Sequence, residues 1–106
     1  MDTIFALATA QGKAGVAVIR VSGPNAIQVG ENLTRRKLPA RGMIFSKLKD
    51  KEGQILDEAL VLSFTAPDSF TGENIVEFQL HGSTAVVSAV MSDLEVSNLA
   101  RLADPG

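Results

Sequence analysis

Val16-Ala17-Val18-Ile19-Arg20-Val21-Ser22, closed by Gly23-Pro24, decides the reading of the chain. Its density of β-branched residues makes it a strand. Strand alternation puts Val16, Val18, Arg20 and Ser22 on one face, and Ala17, Ile19 and Val21 on the other. Arg20 is then a cation among apolar neighbours, and an unpaired guanidinium there is costly. An anionic or carbonyl partner is expected to meet it. Ile75-Val76-Glu77-Phe78-Gln79-Leu80-His81 is the matching anomaly of opposite sign. Its alternation groups Ile75, Glu77, Gln79 and His81, a face that turns from apolar to polar along the strand.

Working outward, 3–9 is apolar enough for a buried strand, and 11–15 is a loop. After Gly23, Ser22 is a candidate helix cap, with Pro24 in the first turn. Ala26, Ile27, Val29 and Leu33 follow with helical spacing. That helix is expected to end near Arg35-Arg36-Lys37, and Pro39 forbids continuation. Segments 43–48 and 55–65 are strands around the polar turn 49–53, a hairpin. A loop is expected over 66–73, a strand over 74–80, and a helix from Ser83 or Thr84 to about Val96. The tail 99–106 shows no clear element. The expected fold is α+β: a mixed sheet of about five strands with two or three helices packed on it.

The 106 residues fit one domain, 1–106. Lys+Arg number 10 against Asp+Glu 12, a formal charge of −2. That balance gives no basic excess for sequence-blind phosphate binding, so the domain by itself is not expected to be a nucleic-acid binder. There is no Cys, which excludes disulfides, thiolate nucleophiles and zinc–thiolate sites. His81 is the only histidine, which excludes His–His metal pairs. No G-x-x-x-x-G-K-[ST] or G-x-G-x-x-G pattern occurs, and no Ser is marked as a nucleophile. The opening residues lack the character of a signal peptide, and no apolar run approaches the roughly 20 residues of a membrane helix.

Two readings of Arg20 and Glu77 stand side by side. They pair with each other or reach solvent at a sheet edge, or they line a ligand cleft. A carboxylate can take two parallel hydrogen bonds from an amino-pyrimidinone ring such as a pterin, and an Arg can hold a carbonyl or carboxylate of the same ligand. His81 beside Gly82 either caps its own turn or helps present helix-start N–H groups to an anion. Phe70 is a ligand wall, a dimer contact or a residue folded back on the core. Lys13 and Arg41 are read as solvated charges.

Three stretches together carry a family resemblance. They are "DTIFALATAQGKAGVAVIRVSGP" over 2–24, "LDEALVLSF" over 56–64, and "APDSFTGENIVEFQLHGS" over 66–83. In order and spacing they resemble the amino-terminal domain of the tRNA modification GTPases, the MnmE/TrmE family. The resemblance implies a folate-binding domain like that of the glycine-cleavage aminomethyltransferase. It implies binding of 5-formyl- or 5,10-methylene-tetrahydrofolate as a one-carbon donor, with Arg20 and Glu77 on the family's folate contacts. It further implies a cytoplasmic homodimer and a flavoprotein partner, MnmG (GidA). The parent activity is a carboxymethylaminomethyl-type modification at carbon 5 of the wobble uridine (U34), and tRNA is met through the full complex, with no membrane. Gln11 stands where the family commonly has Pro. Asp104-Pro105-Gly106 resembles the start of the family's P-G-E-F-[ST] segment. The helical domain and the GTPase domain, with its GTP, Mg²⁺ and K⁺ sites, lie outside the sequence. This chain is therefore not expected to be catalytic alone. A purely structural dimerisation scaffold is the alternative.

Overall fold

The computed structural model describes residues 2–8, 15–66, 72–81 and 83–103. The elements run β1 (Ile4–Leu7), β2 (Val16–Ser22), α1 (Ala26–Thr34), β3 (Arg41–Lys49), β4 (Ile55–Phe64), β5 (Ile75–His81), α2 (Thr84–Val96) and β6 (Arg101–Leu102). The strands form one mixed sheet in the order β3-β4-β5-β2-β1-β6. All pairings are antiparallel except β1 with β6. This is the α+β architecture that the sequence predicts.

The β6 strand corrects the reading of the tail as featureless. Arg101 N–H donates to the Thr3 carbonyl at 3.0 Å and Ala103 N–H to the Phe5 carbonyl at 2.9 Å. A parallel pairing of two residues has no periodicity to read, so it leaves no local signal.

One face of the sheet carries the core. Phe5, Ile19, Val21, Val61, Val76 and Phe78 are fully buried there. Val29 and Leu33 of α1 and Val87, Val90 and Leu94 of α2 belong to the same cluster, at the spacing of a single helical stripe. Each fully buried aliphatic or aromatic side chain contributes on the order of 1.5–3 kcal/mol.

The expected cap of α1 is also corrected. Its N-cap is Asn25, with no side-chain cap bond. The Asn25 N–H is met instead by Thr3 Oγ1 at 2.8 Å, 22 residues upstream. The Ser22 hydroxyl points elsewhere and donates to Glu73 Oε2 at 2.8 Å. Helix α2 starts as expected, with Ser83 Oγ accepting from Val86 N–H at 3.2 Å. Gly23 joins β2 to α1 at φ +135°, where a Cβ would lie 2.6 Å from Thr3 Cα and 2.7 Å from the Asp2 carbonyl oxygen. Only glycine fits so close a backbone crossing.

Candidate functional site

The opposite face of the sheet presents Arg20 and Glu77. Register alone brings them together: Arg20 lies opposite Glu77 across β2 and β5, with Ala6 beyond Arg20 and Leu62, then Met43, beyond Glu77. Arg20 Nε and Nη2 donate to Glu77 Oε1 at 3.0 and 2.8 Å. The plainer of the two expectations is therefore realised directly, since the charges pair. Both bonds end on Oε1, so Oε2 meets no donor among the described residues. The Arg20 side chain is 51% exposed and that of Glu77 19% exposed. A pair this accessible on the Arg20 side contributes only about 0–1 kcal/mol.

The surroundings of the pair divide by strand. Ser22, Glu73 and Gln79 lie on the β2 and β5 side, with Ser22 bound to Glu73. On the β3 and β4 side the face is apolar, with Leu60, Leu62, Met43 and Phe45 in adjacent register positions. Met43 and Phe45 are 62% and 60% exposed, and Leu60 is exposed as well.

His81 ends the same strand, where sequence reading offered a turn cap or an anion-facing helix start. The structure gives it a different anchor. Asp57 Oδ2 accepts from the His81 backbone N–H at 2.9 Å, and Asp57 Oδ1 sits 2.8 Å from His81 Nδ1. The Asp57 side chain is only 10% exposed. A hydrogen on Nδ1 would make this contact a hydrogen bond to the carboxylate, and the His81 side chain is 71% exposed. Asp57 was missed as a partner; its signal was a carboxylate inside the apolar run of β4. Lys13, Phe70, Gly82 and 104–106 lie outside the described residues, as does most of the loop expected over 66–73. Arg41 is exposed at the start of the edge strand β3, as expected for a solvated charge.

Among the described residues no group of three or more His, Cys, Asp or Glu side chains could hold a metal ion. No described helix is long and apolar enough to cross a membrane.

An α+β domain with helices on one face of its sheet and a paired Arg and Glu on the other defines the class to which comparison with known proteins can be applied. The family model described as GTP-binding protein TrmE N-terminus matches residues 3–106, and the chain belongs to that family. It is 84% identical over its whole length to the tRNA modification GTPase MnmE of Ruegeria sp. (strain TM1040). It is 57% identical, again over its whole length, to the protein of that name from Ruegeria pomeroyi. Over 99% of the chain it is 46% identical to that from Anaplasma phagocytophilum. The chain spans about a quarter of the length of these relatives, 25%, 25% and 23% respectively.

Proposed function

We propose that this chain is the reduced-folate-binding and dimerising module of a cytoplasmic GTPase that modifies the wobble uridine of tRNA. The observation that carries the reading is the Arg20–Glu77 pair on the open sheet face, with one carboxylate oxygen still available and an apolar floor beside it. In this reading Glu77 accepts from the amino-pyrimidinone edge of the pterin, and Arg20 turns from Glu77 to a carbonyl or carboxylate of the same ligand. The folate supplies a one-carbon unit, formyl or methylene. The chain's own residues bind and orient it, and Leu60 and Leu62 keep water from its apolar face. GTP hydrolysis with Mg²⁺ and K⁺, and work with the flavoprotein MnmG (GidA) on tRNA, belong to the longer protein.

The dimerising part of this reading is supported by the same face. Met43, Phe45 and Leu60 form an exposed apolar group on a side of the sheet that neither helix covers, and a patch of this kind on a soluble domain marks an interaction surface.

The scaffold reading keeps one observation in its favour: Arg20 and Glu77 neutralise each other directly. Titration calorimetry with 5-formyltetrahydrofolate separates the two. The folate reading expects binding by the unaltered chain and at least a tenfold loss in Glu77→Ala, the scale of a lost hydrogen bond to a charged group. No heat, or equal binding by the variant, leaves the scaffold.

A further inference from the structure

We infer that the outer edge of β3, together with the carboxyl end of α1, binds the phosphate backbone of RNA. The net charge of −2 conceals a segregated distribution. Residues 35–51 hold seven of the ten Lys and Arg against one acid, Asp50, while the rest of the chain holds three bases against eleven acids. The fold gathers these cations. β3 is a terminal strand of the sheet. Helix α1 ends on Arg35 in the left-handed region, at φ 57°, which turns the chain along that edge. Arg36 Nη1 donates to the Phe45 carbonyl at 3.2 Å, and Arg35 Nη2 to the Asp50 carbonyl at 2.8 Å. These acceptors are neutral, so they orient the guanidinium groups and leave their charge uncompensated.

A groove of about 420 Å³ lies between the two elements, lined by Arg35, Arg36, Lys47, Lys49 and Glu58 among others. None of its four cations has a carboxylate within 4 Å among the described residues. The Asp50 carboxylate lies outside this lining, and its Oδ1 accepts from the Glu52 and Gln54 N–H groups, both at 2.9 Å. Glu58, cross-strand from Lys47, is the single carboxylate in the lining. Two planar guanidinium forks and two ammonium groups along an open groove suit phosphodiesters. The inference rests on the tRNA-modification reading above only for the choice of RNA as the polyanion; it uses neither Arg20 nor Glu77.

Fluorescence anisotropy of a labelled tRNA transcript, titrated with the chain at 50 and 200 mM salt, tests it. The unaltered chain is expected to bind, with affinity falling as salt rises. Lys47→Gln/Lys49→Gln, neither of which has a side-chain hydrogen bond to lose, is expected to bind at least tenfold more weakly. Its log–log salt slope is expected to be smaller by about 1.5. Glu58→Gln is expected to bind several-fold more tightly, a gain that unfolding cannot produce. The inference is overturned by absence of tRNA binding at 50 mM salt, by unchanged affinity in both variants, or by retention on phosphatidylglycerol vesicles without tRNA binding. Folate calorimetry reads Glu77, two strands in from this edge, and Leu62, one strand in, and none of the substituted residues, so failure here leaves the folate reading untouched.

Discussion

Arg20 and Glu77 face each other across β2 and β5, and both hydrogen bonds of the guanidinium end on the same carboxylate oxygen. A bidentate pair would use both oxygens and hold the two side chains in one geometry. This one leaves half of the carboxylate unengaged on a half-exposed surface, so it is well placed to be rearranged by a third group.

The pair should matter little for stability. Glu77→Gln is expected to lower the unfolding free energy by less than about 1 kcal/mol, and a double-mutant cycle with Arg20→Gln should give a coupling of about 0.2–1 kcal/mol. Urea denaturation of the four proteins measures both. A coupling of several kcal/mol would mean that the pair is a structural element rather than a binding one.

Gly23 closes β2 at a close backbone crossing. Gly23→Ala places a methyl group against the Thr3 and Asp2 backbone in a conformation that L residues rarely adopt. A loss of about 3 kcal/mol or failure to fold is expected, and thermal unfolding reads it. A melting temperature within a degree or two of the unaltered chain would contradict this account of the β2–α1 junction.

The apolar part of the open face should control association. Phe45→Lys/Leu60→Lys is expected to leave a folded monomer with little change in melting temperature, because both positions are already exposed. The unaltered chain should sediment as a dimer at tens of micromolar. If the variant also sediments as a dimer, the contact lies elsewhere.

Asp93 carries the pH prediction. Burial, followed by the nearby Asp50 carboxylate, raises its pKa above the ordinary 3.8. The folded state therefore holds this proton more tightly than the unfolded state. Its favourable contribution is complete below pH 3.8 and is lost as the pH rises through the raised folded value. Asp93→Asn should remove that loss. It is expected to raise the melting temperature at neutral pH by up to about 2 °C, with no gain near pH 3.5, because the group is largely solvent-screened. A gain that is equal at both pH values would point to packing instead.

The sequence made the sheet legible where alternation was strong. The segments β2 and β5 were visible with their faces, and Arg20 and Glu77 stood out because apolar neighbours left them no local partner. That they meet each other is a matter of register between strands 57 positions apart, which no local pattern encodes. The α1 cap was misassigned for a similar reason. Ser22 has the right chemistry for a cap, yet Glu73 claims its hydroxyl, and Thr3, distant in sequence, takes over at Asn25. The basic edge escaped a reading based on net charge, since a sum over the chain erases where the charges lie.

The most direct measurement is a crystal structure of the chain soaked with 5-formyltetrahydrofolate. The account predicts density for the pterin over Leu62, with Glu77 bonded to its amino-pyrimidinone edge and Arg20 drawn away from Oε1. An intact 2.8 Å contact between Arg20 and Glu77, with the folate elsewhere or absent, would contradict it.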